Sequence, residues 1–216
     1  MFYLATGATF LALIIGLPVA LYMNIFLIKR KKLVDSIRFL LDVLWGIPSI
    51  VYEAFGFTIM IYFGLKTSLL AGILVVTLFI IPIMVRAMDE SLKSIPRGLF
   101  EAASSLGATK SEIAFRVFLR QTFPALVTAI LLSFGRAIGD AAAVMFTAGF
   151  TDSIPTSLHQ QTATLPLSIF FQLSSPIQEV KDRAYAAAVV LTVIILLISI
   201  FSRLFTKKFR KNMIKF

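Results

Sequence analysis

Residues 101–124 read EAASSLGATKSEIAFRVFLRQTFP, a charged, glycine-punctuated stretch set between two oily runs. What flanks it decides the fold. The 216-residue chain is 58% hydrophobic and 15% charged, with a mean hydropathy of +0.91, whereas a soluble domain carries about 25% charged residues. Such a chain belongs in a bilayer, and the quoted stretch is one of its few polar insertions.

A hydrocarbon core of about 30 Å requires about 20 apolar residues in a helix. Met1 to Ile28, Thr67 to Val85 and Ala184 to Ser202 carry no charge at all. Val43 to Leu65 and Thr122 to Thr151 qualify once Glu53, Arg136 and Asp140 are admitted inside the membrane. The sequence therefore predicts an all-α polytopic membrane protein, a single transmembrane domain over 1–216. Its five spans fall at about 3–28, 43–65, 67–85, 122–148 and 184–202, with polar loops over 86–121 and 150–183. The first run has no basic n-region and outlasts the roughly 7–15 residues of a signal-peptide core, so it reads as a retained helix.

Charge gives the orientation. Five crossings put residues 29–42, 86–121 and 203–216 on one side, and these segments hold seventeen of the 21 Lys and Arg. Only Lys66, Lys181 and Arg183 fall opposite, and Arg136 lies within a span. The positive-inside rule then places the N-terminus outside and the C-terminus in the cytoplasm. The net charge of +10 is accounted for without nucleic acid.

The quoted loop therefore faces the cytoplasm. Ser94 as a cap, Pro96 near the first turn and Gly107 in a left-handed position predict a short helix of about three turns. A second helical run is expected from Thr109. Beyond the fourth span, LPLSIFFQL (Leu165–Leu173) is apolar enough for a short interfacial or re-entrant helix. Ser175-Pro176-Ile177-Gln178 is a capping-box pattern opening the last helix.

Glu101-Ala102-Ala103, three residues, then Gly107 resembles the EAA loop of permease subunits in binding-protein-dependent ABC importers. The segments LLDVLWGIPSIVYEAFG (40–56), FGRAIGDAAAVMFTAG (134–149) and LPLSIFFQLSSP (165–176) look like the A-type permease subunits of phosphate-specific Pst importers, in the same order along the chain. The resemblance implies a type I ABC importer permease fold in a prokaryotic inner membrane. The short helix would be a coupling helix, with Glu101, Ala102, Ala103 and Gly107 meeting a cytoplasmic ATPase. The implied partners are a second permease subunit, two ATPase subunits that carry ATP and Mg, and an extracytoplasmic phosphate-binding protein, with lipid around the spans. Where this family has I-x-L-P, the chain has Val117-Phe118-Leu119-Arg120, with Pro124 at the place of a second proline. Glu53 stands where Gly is common, and Asp140 where Glu is. Members commonly have one further span ahead of the first, so the resemblance implies a five-span form or a shortened start.

Arg136 and Asp140 are four apart and would share a helix face, so they are expected to pair. An unpaired Arg at mid-membrane costs about 2.5–3.5 kcal/mol on the lenient insertion scale, so it must face protein, water or a counter-charge. The pair either lines an anion path, where a guanidinium fork matches phosphate oxygens, or locks helix packing. Glu53 follows Trp45, Gly46 and Pro48, which predict a kinked helix. It reads as a counter-ion for Arg136 or for a partner's arginine, or as a protonated acid. Ser49 is a donor to an oxyanion or bonds its own helix.

Several chemistries are excluded. The chain has no cysteine and one histidine, His159, so thiolate and histidine-cluster metal sites are ruled out. GATKS (107–111) lacks the second glycine of a P-loop, so the chain is read as a transport subunit that binds no ATP or other cofactor. Another tetrahedral oxyanion (molybdate, tungstate or sulfate) and an ion-coupled secondary anion carrier are the competing readings. No internal repeat supports the latter.

Overall fold

The computed structural model describes residues 1–151 and 153–210; Lys211 and Lys215, counted above among the basic tail, lie outside them. Among the described residues the chain is helical and has no strand. Its helices are α1 (Phe2–Leu21), α2 (Lys31–Gly46), α3 (Ser49–Tyr62), α4 (Leu69–Lys93), α5 (Arg97–Ser105), α6 (Lys110–Glu112), α7 (Leu119–Gly139), α8 (Leu165–Leu173) and α9 (Gln178–Arg210). π-Helical turns extend α1 over Tyr22–Phe26 and join α6 to α7 over Ile113–Phe118. Four helical stretches, Phe2–Phe26, Leu69–Lys93, Lys110–Gly139 and Gln178–Phe205, are long and apolar enough to cross a membrane, and the bent α2–α3 pair counts as a fifth only where its two halves form one broken span.

Helix α4 forms the centre. Its most apolar window is 72% buried, against 6% for α9, because α1, α2, α3 and α7 all pack on it while α9 leans on α7 and α8. Without a hydrophobic drive between helices in lipid, small side chains let backbones approach. Helix α1 follows this pattern, turning Ala5, Ala8, Ala12, Gly16 and Ala20 inward. At Gly56 on α3, an added Cβ would stand 2.2 Å from Val75 Cγ2, so only glycine permits that crossing. The first turn of α4 is closed by the loop after α7: Ser68, Leu69 and Leu70 N–H donate to the carbonyls of Thr147, Gln160 and Leu158 at 2.9, 2.7 and 2.8 Å.

Several expected elements differ in detail. The span expected over 43–65 is two helices bent by 95° at Ile47–Pro48. A residue before proline is pushed out of the helical region, and Ile47 is extended at φ −72°, ψ 130°. The Tyr52 hydroxyl braces the elbow by donating to the Leu44 carbonyl at 2.8 Å. The stretch expected over 122–148 is helical only to Gly139, and its helix reaches back to Lys110 through the π-helical turn. The last helix overruns the expected 184–202 at both ends.

Two caps also differ. Ser94 does not open α5; it closes α4, its hydroxyl donating to the Ser91 carbonyl at 2.7 Å, and Pro96 takes the N-cap position. The Ser175–Gln178 box is not made, since Ser175 Oγ accepts from Ile177 N–H at 3.3 Å while Gln178 donates forward to Asp182 at 3.0 Å. The reciprocal box occurs instead at Thr109 and Glu112.

Candidate functional site: the Arg136 groove, the α5 ledge and two buried acids

Helices α7 and α9 flank a groove of about 500 Å³ whose polar lining comes from Thr128, Arg136, Asp140, Ser199, Ser202 and Arg203. Gly135 and Gly139 leave its α7 wall low. The sequence-predicted Arg136–Asp140 pair shares this groove, yet the two side chains form no ion pair. Helix α7 stops at Gly139, so Asp140 has left the helix at φ −90°, ψ 123°, and the i, i+4 geometry no longer applies. Its Oδ1 accepts from Ala143 N–H at 2.9 Å, starting the turn that follows. The Arg136 guanidinium instead lies 5.0 Å from the ring centre of Phe79 on α4, a cation–π contact that leaves its N–H fork available. Among the described residues no carboxylate neutralises Arg136. Ser49 opens α3 beyond the elbow and does not line the groove.

Glu53 is fully buried and is not a counter-ion for Arg136. Its Oε1 accepts from the backbone N–H of Phe146 and of Thr147, the latter at 2.8 Å, and its Oε2 accepts from the Thr147 hydroxyl at 3.1 Å. The carboxylate thus holds the turn between α7 and the 150–164 loop to α3. Donors 93 and 94 positions away satisfy it, which spacing along the chain does not announce.

The second buried acid was not singled out from the sequence. Asp89 on α4 has no exposure and gathers four partners. Arg38 of α2 donates Nε to Oδ2 at 2.9 Å and Nη2 to Oδ1 at 3.0 Å, Asn24 donates to Oδ1 at 2.8 Å, and Lys93 Nζ is 3.2 Å from Oδ2. Arg86, paired mainly with Asp42 at 3.0 Å, approaches to 3.6 Å. The spacing of Arg86, Asp89 and Lys93, three and four apart, was the available signal.

Helix α5 lies on the same end of α4 as Asp89 and buries none of its residues. Glu101 and Ala102 are exposed and Ala103 half-buried. Gly107 has φ +82°, and the N–H groups of Gly107 and Ala108 return to the carbonyls of Ser104 and Ala103 at 3.0 and 3.2 Å, a Schellman closure that a residue with a Cβ disfavours. Phe100 meets Phe118 edge-on at 6.4 Å, seating α5 against the π-helical turn, while Leu106 stands 88% exposed beyond it. A cleft of about 280 Å³ beside Leu106 is lined by Gly107, Glu112 and Arg116. With Arg120 in place of a proline, the helix runs unbroken through that position; nothing else in the structure explains Arg120.

This architecture matches a known family. The model for the binding-protein-dependent transport system inner membrane component covers residues 12–215. The chain belongs to that family. It is 32% identical over 201 residues to the phosphate transport system permease protein PstA of Yersinia pestis, covering 91% of this chain and 68% of that one. It is 34% identical over 195 residues to PstA 1 of Mycobacterium tuberculosis (strain CDC 1551 / Oshkosh), covering 89% and 64%. Among solved structures it resembles an inward-facing MetNI methionine ABC transporter, with a TM-score of 0.73, 21% identity, and 96% and 91% of the two chains covered. At that identity the likeness shows the fold, that of type I ABC importer permeases. The family resemblance read from the EAA and GIPSIV segments is thereby established, as is the all-α membrane fold. The chain is an ABC importer permease, an inner membrane component of a system that works with ATPase and binding-protein partners.

Proposed function

We propose that this permease moves inorganic phosphate into the cytoplasm, and that Arg136 is the residue on its path that meets the anion. The observation that carries this reading is a guanidinium in the last turn of α7, set in a polar groove and held by an aromatic face instead of an acid. Such a group has a positive charge and a two-pronged donor set to offer a tetrahedral oxyanion. The serine hydroxyls of α9 stand opposite, and relatives named as phosphate permeases support the cargo. Asp140 also lines the groove, and its Oδ1 is engaged by Ala143 N–H, which weakens its repulsion of the anion. Ser49 and Glu53 act outside the path, Glu53 by holding the turn that ends the Arg136 helix.

In this reading residues 1–216 act as one permease domain, with the N-terminus outside, the 86–121 segment in the cytoplasm and the 150–183 segment facing the binding protein. Helix α5 presents Glu101, Ala102 and Ala103 to the ATPase, with Gly107 setting its end. A second permease subunit completes the pathway, and ATP and Mg are held by two ATPase subunits.

Phosphate uptake in proteoliposomes of the assembled complex, with ATP supplied or withheld, tests the reading. Import requires ATP and survives collapse of the proton gradient; the opposite dependence would mean an ion-coupled carrier. Competition by excess molybdate, tungstate or sulfate stronger than by phosphate would move the cargo to another oxyanion. Arg136→Gln abolishes import without disassembling the complex. Glu101→Lys or Gly107→Pro abolishes stimulation of the ATPase while the chain stays inserted, and intact coupling in both would remove α5 from the mechanism.

A further inference from the structure

Asp89 does not line the Arg136 groove, yet it stands where a displacement of α5 has to pass. Only Ser94 to Pro96 separate the end of α4 at Lys93 from the start of α5 at Arg97, and Ile95 in that link is buried. Four residues before the end of α4, Asp89 holds Arg38 on α2 through both carboxylate oxygens and Asn24 in the α1 extension. Helix α2 leads to the elbow that Tyr52 braces. Beyond the elbow, α3 carries Glu53, bonded to Phe146 and Thr147, in the turn that follows Asp140. Two buried carboxylates therefore fasten the two arms of one bent lever, the first to α4 and the second to the turn that follows the Arg136 helix.

We infer that Asp89 is a positioning residue for transport: its carboxylate clamps α2 and α1 to α4, so that movement of α5 reaches the α2–α3 lever and, through Glu53, the end of α7 that bears Arg136. The inference rests on the proposal that an ATPase engages α5. The physical reason lies in directionality. The small-residue seam between α1 and α4 holds by close but non-directional packing, whereas a two-point guanidinium–carboxylate contact fixes angle as well as distance. Buried charge clusters add little net stability, and a role in specifying one arrangement is their best-attested use.

The test is the number of phosphate ions imported per ATP hydrolysed by the assembled complex in proteoliposomes. Asp89→Asn keeps the shape of the side chain and removes its charge. It is expected to leave ATP hydrolysis within about twofold of the parent while import falls about tenfold, a usual size for coupling between sites. Arg38→Lys keeps the charge but cannot span both oxygens, so the ratio falls by a smaller factor; it carries the test if Asp89→Asn does not assemble. Combining Asp89→Asn with Glu53→Gln lowers the ratio no further than the worse single variant, because both cut one relay. Import and hydrolysis falling together, in proportion to the amount of complex, would mean that Asp89 only holds the fold, and an unchanged ratio would overturn the relay. If the parent complex imports a different oxyanion, the phosphate assignment fails, and the same ratio taken with that anion still decides for or against Asp89.

Discussion

Glu53 and Asp89 are both carboxylates with no solvent exposure on apolar helices, but they are neutralised by different means. Around Asp89 the compensation is charge: Arg38 in two-point contact, Lys93 close by and Arg86 at the margin, with Asn24 filling a remaining lone pair. Around Glu53 it is dipoles, two backbone N–H groups and one hydroxyl. The first arrangement ties three helices together from long side chains; the second stitches a helix to a turn that has no regular structure of its own. A buried acid is thus not by itself a sign of a substrate site. What surrounds it decides whether it can attract, repel or ignore a passing anion, and here both acids are satisfied by protein donors while Arg136, among the described residues, rests on an aromatic ring with no carboxylate partner.

Substitutions break this comparison in a defined order. The largest loss is expected for Asp89→Ala, which removes the shared acceptor of Arg38, Asn24 and Lys93; because the two cations keep solvent contact, about 3 kcal/mol is expected, the low end of the penalty for removing one partner of a buried ion pair, and denaturant titration of the purified chain in detergent measures it. Glu53→Ala leaves two N–H donors and a hydroxyl without their acceptor, and about 2–3 kcal/mol is expected in the same titration. If it costs more than Asp89→Ala, dipoles outrank charges here and the comparison is reversed. Glu53→Gln retains an acceptor oxygen for both N–H groups and should lose about 1 kcal/mol, so a loss equal to that of Glu53→Ala would show that charge, not geometry, holds the turn. Gly107→Ala lies away from both acids and should cost about 1 kcal/mol through its left-handed backbone alone; it calibrates the titration against a strictly local effect.

Much of the architecture was legible in the chain. Uncharged runs longer than a bilayer is thick, prolines and glycines at element ends, and the distribution of Lys and Arg are signals written over a few turns. Pro48 marked the break in α2–α3, and Gly107 the end of α5. The break was underestimated as a kink in one span because the residue pattern says where a helix stops, not the angle at which the next one leaves. The site was less legible. Pairing Arg136 with Asp140 requires a helix that continues through both, and of the three cap patterns in the sequence only Thr109-x-x-Glu112 forms the reciprocal box.

The sequence by itself determined that this is a helical membrane protein, where its helices end and which family it resembles, because hydrophobic length, helix period and cap chemistry act between near neighbours. Only the tertiary structure decided that Asp89 belongs to Arg38 and Asn24, 51 and 65 positions away, that Glu53 belongs to the turn at 146–147, and that Arg136 rests on Phe79. A buried charge takes whichever partner packing brings within about 3 Å, and that choice is made by helices crossing in space, whatever their distance along the chain.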